Sequence, residues 1–196
     1  MSTVTLEISA NIAKLVINSP PANALSSIVL KDLASKLDEI EQHQAIKAVI
    51  LSGDGRFFSA GADIKEFTTL QASSDYVALA ENGQALLNRI ENFSIPVIAA
   101  IHGAALGGGL ELAMACHMRI VTENAKLGLP ELNLGIIPGF AGTQRLPQLV
   151  GIPKAYEMIL TGEPITGVEA QSIGLANQVV KEEALLEAAE TLATKI

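Results

Sequence analysis

Cysteine occurs once, at Cys116, so no intrachain disulfide can form. Set among Leu112, Ala113, Met114 and Ala115, it reads as a small buried side chain rather than a nucleophile. Aromatic residues make up 4% of 196 positions, against 49% hydrophobic in all. A core must then be built from Ala, Leu, Ile and Val, which suits closely packed βα layers. Histidine is scarce, and His43, His102 and His117 share no metal-ligand spacing with one another or with an acid pair, so no metal is expected. Basic residues are few: 13 Lys and Arg against 21 Asp and Glu leave a net charge of −8, which argues against nucleic acid or anionic membrane as a general partner. The start, Met1 to Glu7, lacks a basic stretch followed by an apolar run, so no targeting segment is expected and the cytoplasm is the default location. Low-complexity linkers and internal repeats are absent, and the length suits one domain over 1–196. The one long apolar run, 95–116, has Gly103 and Gly107 in a small-xxx-small pair, but Pro96, His102, Glu111 and the glycine triplet interrupt it too often for a membrane span.

What stands out against this background is a pair of glutamates, Glu111 and Glu131. Each lies in apolar, glycine-marked sequence: Ala-Leu-Gly-Gly-Gly-Leu-Glu at 105–111 and Leu-Gly-Leu-Pro-Glu at 127–131. Placing a carboxylate there costs several kcal/mol unless it is paired, hydrogen-bonded or protonated. If the chain brings the two together, the first to ionise raises the pKa of the second, which supplies one acid and one base near neutral pH.

The glycines indicate what such a pair could act on. Residues 96–101 read as a buried strand, followed by a helix that begins at the triplet near Gly108. The first N–H groups of that helix have no internal partner and lie at the positive end of its dipole, so they can hold an oxyanion, with Glu111 in the first turn beside them. The plainer reading is that the glycines allow close packing and Glu111 is a favourable first-turn acid. A second strand, Lys47 to Ser52, runs into the loop Gly53 to Asp63, which could add another N–H to the same site.

The rest of the chain alternates β then α. Val4–Ile8 and Ile12–Ile17 form an expected hairpin around Asn11. Ser26 is an expected cap for a helix with Leu30, Leu33, Leu37 and Ile40 on one face. Ser74 is read as capping a longer helix with Tyr76, Ala80, Gly83, Leu87 and Ile90 aligned.

Three stretches carry a family resemblance: Phe58-Ser-Ala-Gly-Ala-Asp-Ile-Lys65, Ile101 through Cys116, and Leu127 through Gly139 with Gly142-Thr-Gln-Arg145. In this order they resemble the enoyl-CoA hydratase/isomerase (crotonase) family, and the likeness runs from about Val4 to the last residue. It implies an α/β fold, the crotonase-like spiral of repeated ββα units. It implies that the N–H groups of Ala62 and Gly108 form an oxyanion hole and that Glu111 and Glu131 are the catalytic carboxylates. Isomerases of the family often keep only one of the two, so both together favour a hydratase acting on a 2-enoyl-CoA thioester. No separate cofactor is expected, because coenzyme A is part of the substrate. By the same resemblance, Ala22, Ala24, Ala60, Asp63, Ile64, Lys65 and Gly139 line the substrate and coenzyme A site. Lys65 is alternatively a solvated surface lysine. His117 stands where the family commonly has Asp. An isomerase, another crotonase-type acyl-CoA enzyme or a non-catalytic acyl-CoA-binding subunit is the alternative.

From Glu182 onward, Leu185, Leu186, Ala189, Leu192, Ala193 and Ile196 recur at helical spacing and the sequence stops without a cap. The expectation is an uncovered apolar stripe on a shortened fold. Its absent helices would complete the acyl pocket and build a homo-oligomer, a trimer or a dimer of trimers.

Overall fold

The computed structural model describes residues 2–69 and 73–196; the side chains at 67–69, 73, 74 and 76 lie outside the described set. Two strands open the chain, β1 (Val4–Ser9) and β2 (Ile12–Ile17), and they pair antiparallel across the two-residue turn Ala10-Asn11, both with positive φ. A two-residue hairpin needs this conformation, and Asn tolerates it well. Helix α1 (Ser27–Glu41) follows, with the Ser26 hydroxyl accepting from Val29 N–H as its cap, and Leu30, Leu33, Leu37 and Ile40 all buried. Next come β3 (Ala48–Gly53), α2 (Ile64–Thr69) and α3 (Ser73–Glu91). Since α3 already includes Ser73, Ser74 lies inside the helix rather than before it, and the expected contacts of the Ser74 and Tyr76 side chains fall outside the described residues.

The second half repeats a tighter unit. Strand β4 (Val97–Ile101) turns at Gly103 into β5 (Ala104–Leu106) and then α4 (Gly108–Ala115); β6 (Met118–Thr122) turns into β7 (Lys126–Gly128) and a 3-10 turn, Pro130–Leu134. Helices α5 (Gly142–Val150) and α6 (Ile152–Thr161) lead to β8 (Ile165–Thr166), α7 (Gly167–Ser172), β9 (Gln178–Val180), a 3-10 turn at Glu182–Ala184, and α8 (Leu185–Thr194).

The first strands of the units build a six-stranded sheet in the order β1-β2-β3-β4-β6-β9, parallel except for β1, while β5, β7 and β8 form a second, smaller sheet. Ser59 pairs with Ala105, so the loop after β3 joins the smaller sheet's edge. The central strands read as unbroken apolar runs because both faces are covered. Val49 and Leu51 face the main core with α1, α3 and α4, whereas Ala48 and Ile50 face the other way.

That second face corrects the expectation for the chain's last helix. Leu185, Ala189 and Ala193 are buried against Ile12, Ile50, Ile98 and Ile120 of the sheet, so the stripe is covered, with Leu186 and Ile196 left exposed. Helical spacing shows that a stripe exists, and only the fold shows what it packs on.

Candidate active site

The turns that join the two sheets bring the glycine-marked segments to one cavity of about 740 Å³. Ala60 to Ala62, Gly107, Gly108, Glu111, Glu131 and Gly139 all line it. Both glutamates therefore share one space, as do the two amides expected to donate into it.

Among the described residues, neither amide has a main-chain partner. Gly108 is the first residue of α4, so its N–H has no partner within the helix. Ala62 forms a parallel bridge with Leu25, in which Leu25 N–H donates to Gly61 O and Asp63 N–H donates to Leu25 O. Both bonds go to the residues flanking Ala62, so its own N–H faces the opposite side. The two groups are neighbours: a Cβ on Gly108 would lie 3.2 Å from Ala62 N and equally close to the Phe140 ring. At Gly107 the backbone turns at φ +51°, and a Cβ would meet Glu131 Oε1 at 3.1 Å. Glycine is required here for conformation and for space.

Glu111 is 1% exposed, and its Oε1 accepts hydrogen bonds from Phe140 N–H at 2.8 Å and Gly142 N–H at 2.7 Å. Burial pushes its pKa up to about 7; the Gly142 N–H opposes the rise, the Glu131 charge adds to it, and the Phe140 N–H and Arg145 oppose it. Glu131, on the 3-10 turn after β7, is 8% exposed. Burial raises its pKa too, against its own backbone N–H. Its Oε2 is the one buried side-chain polar atom among the described residues without a hydrogen-bond partner. A buried oxygen left open in this way can take a proton or hold a water. One carboxylate is thus clamped by main chain and the other is half free.

The clamp on Glu111 is itself held from α3. Gln84 Nε2 donates to Gly139 O at 2.8 Å, and the buried Arg145 guanidinium donates to Phe140 O at 2.8 Å, to Asn88 Oδ1 at 2.6 Å and to Glu91 Oε2 at 2.9 Å. The Phe140 ring fills the notch left by Gly83, where any Cβ would collide with it. A Cβ on Gly142 would come 2.8 Å from Glu111 Oε1. Gly83, Gln84, Phe140 and the Gly142 amide escape a reading of sequence, because what joins them to Glu111 is packing between α3, α4 and the 139–142 corner.

The remaining expected residues divide by position. Ala60 and Ile64 line the cavity, and Ile64 is exposed at its mouth beside Leu134, Ile136 and Ile137. Ala22, Ala24, Asp63 and Lys65 stand outside the lining. Ala22 O accepts from Ala60 N–H, and Asp63 Oδ1 accepts from the Lys65 N–H at 2.9 Å. Cys116 is buried, its thiol pushed up to about 12 by burial, as suits a packing residue. His117 Nδ1 accepts from Val97 N–H at 3.0 Å, an acceptor role that an Asp could fill equally, and burial pushes its pKa down.

A spiral of ββα units with two sheets meeting at such a cavity is the crotonase-like α/β fold. The chain belongs to the enoyl-CoA hydratase/isomerase family, whose model matches residues 7–196. It is 60% identical over 196 residues to a probable enoyl-CoA hydratase of Bacillus subtilis (strain 168), covering all of this chain and 76% of that relative. It is 44% identical over 179 residues to the peroxisomal fatty acid beta-oxidation multifunctional protein AIM1 of Arabidopsis thaliana, covering 90% of this chain and 25% of that much longer protein. Among solved structures, the enoyl-CoA hydratase of Bacillus anthracis superposes with a TM-score of 0.94 at 39% identity, over 98% of this chain and 76% of that one. DspI of Pseudomonas aeruginosa superposes at 0.95 and 37%, over 100% and 74%.

Proposed function

We propose that the protein is an enoyl-CoA hydratase that adds water across the α,β double bond of a 2-enoyl-CoA thioester in fatty-acid or related acyl-CoA breakdown. One observation carries this reading: Glu111 and Glu131 line the same cavity as Ala62 and Gly108, whose N–H groups have no main-chain partner among the described residues. As water attacks the β-carbon, electron density moves to the thioester oxygen, where two fixed N–H donors stabilise it; losing one such donor typically costs about 10²–10³ in rate. The attacking water needs a base, and the α-carbon needs a proton. Burial set against the two N–H groups on Oε1 brings the pKa of Glu111 to about 7, which poises it to accept the water's proton near neutral pH. Glu131, with an open Oε2, is assigned the proton donated to the α-carbon. The two titrate as a pair, so the division describes a dominant arrangement.

Relatives described as enoyl-CoA hydratases and as beta-oxidation proteins support the same substrate class. An isomerase, which moves a proton within one substrate, has less use for a second carboxylate. Ala22, Ala24, Ala60, Asp63, Ile64, Lys65 and Gly139 are assigned to the thioester and its nucleotide, and no separate cofactor enters the reaction. Among the described residues no helix is long and apolar enough to cross a membrane. We place the full-length enzyme in the cytoplasm as a trimer or dimer of trimers. Loss of enoyl absorbance on addition of crotonyl-CoA tests the reading. Steady hydration to the 3-hydroxyacyl thioester is expected. Double-bond migration without water uptake, or binding without turnover, would overturn it.

A further inference from the structure

Asn23, in the segment between β2 and α1, is 3% exposed and adopts φ +51°, a conformation Asn accepts better than most side chains. Its side chain makes three hydrogen bonds, all with main chain. Oδ1 accepts from Ser19 N–H at 2.9 Å, and Nδ2 donates to Asp54 O at 2.8 Å and to Phe57 O at 2.7 Å. The amide's two donors are thereby used, and the segment 19–25 is tied to the foot of the loop that follows β3. A Cβ on Gly53 would come 2.8 Å from Nδ2, so the strand end is shaped around this group.

The tied segment is the one that aims Ala62. Ala60 N–H donates to Ala22 O, Leu25 N–H to Gly61 O, and Asp63 N–H to Leu25 O. These bonds turn the Ala62 N–H away from Leu25 and toward Gly108. The same loop is joined to β5 through Ser59, whose N–H donates to Ala104 O and whose O accepts from Leu106 N–H, while Gly108 has its own anchor in α4, Glu111 in the 139–142 corner and Glu131 in its 3-10 turn.

We propose that Asn23 is the positioning residue of the donor pair, setting the direction of the Ala62 N–H by anchoring the 19–25 segment to the carbonyls of Asp54 and Phe57. This rests on the reading of Ala62 and Gly108 as donors to the thioester carbonyl. Loss of the Asn23 side chain misplaces one donor and leaves the carboxylates where they are.

The test uses two substitutions. Asn23→Gly keeps the positive φ and removes all three bonds; Asn23→Asp keeps the acceptor for Ser19 and removes both donors. The probe is butyryl-CoA carrying ¹³C at the thioester carbonyl, a saturated thioester with no double bond to hydrate, read by infrared difference spectroscopy. With the wild type, the carbonyl stretch is expected to move to lower wavenumber on binding. In both variants that displacement shrinks, kcat/KM for crotonyl-CoA falls by up to about 10², and the pH profile keeps its shape. Where one variant does not fold, the other carries the measurement. A variant with lower Tm but a wild-type carbonyl displacement overturns the proposal and leaves the donor reading intact. A wild type that leaves the carbonyl stretch unmoved overturns both.

Discussion

At Glu111 the cost of burial and the two N–H groups on Oε1 act in opposite directions, and burial prevails, leaving a pKa of about 7. In the proposed reaction, Glu111→Gln and Glu131→Gln each lower kcat by at least about 10² with little change in affinity for a saturated acyl-CoA; steady-state rates and calorimetric titration check this. The double variant should be little worse than the poorer single one, since the pair acts as a unit. The same burial bears on stability. A glutamate in the unfolded chain ionises near 4.5, whereas folded Glu111 holds its proton to about 7. The folded state thus binds more protons between those values, and its stability falls as pH rises through that window. The rise corresponds to roughly 3 kcal/mol at most. Glu111→Gln cannot ionise and keeps an oxygen for Phe140 and Gly142. It is expected to have a higher Tm than wild type at about pH 8 and a similar one at about pH 4, read by thermal melts at both.

Helix α4 joins the site to the core at both of its ends. At the first residue, a Cβ on Gly108 would stand 3.2 Å from both Ala62 N and the Phe140 ring. Gly108→Val then fills the space between the donors, and kcat/KM for crotonyl-CoA should fall by about 10² or more. Ala62→Ser keeps the backbone N–H and should stay within a few-fold of wild type in the same assay. At the other end, the buried Arg119 guanidinium donates to Cys116 O at 2.6 Å and Leu175 O at 2.6 Å, satisfying a carbonyl that α4 leaves open. The start of α4 is legible from its glycines and from the turn of Glu111. The Arg119 cap is not, because Leu175 is brought there by the long return through α7.

Across the whole molecule, the apolar surface is unevenly distributed. Ile152, Tyr156 and Leu160, four residues apart on α6, are all well over half exposed, and Val168 on α7 is exposed as well. The apolar row along α6 suits a subunit contact. Association through this face is expected to make the chain sediment well above the 20.5 kDa of one copy. The double variant Ile152→Asp, Leu160→Asp should shift to smaller species in analytical ultracentrifugation.

Local pattern alone determined a good deal of this protein. The hairpin at Asn11, the Ser26 cap with its buried Leu30, Leu33, Leu37 and Ile40, the apolar strands and the helix opening at Gly108 follow from spacing and turn chemistry, which act between near neighbours. The unusual placement of Glu111 and Glu131 was likewise visible, because a carboxylate among Leu and Gly is costly wherever it lies. Tertiary structure decided the rest. It set the Glu111 clamp by Phe140 and Gly142, the support from Gln84 and Arg145, the covering of Leu185, Ala189 and Ala193 by the sheet, and the Asn23 anchor beside Ala62. Each of these joins residues far apart in the chain. Such contacts depend on how helices and loops stack on a twisted sheet, and a side chain's periodicity carries no information about its distant partner.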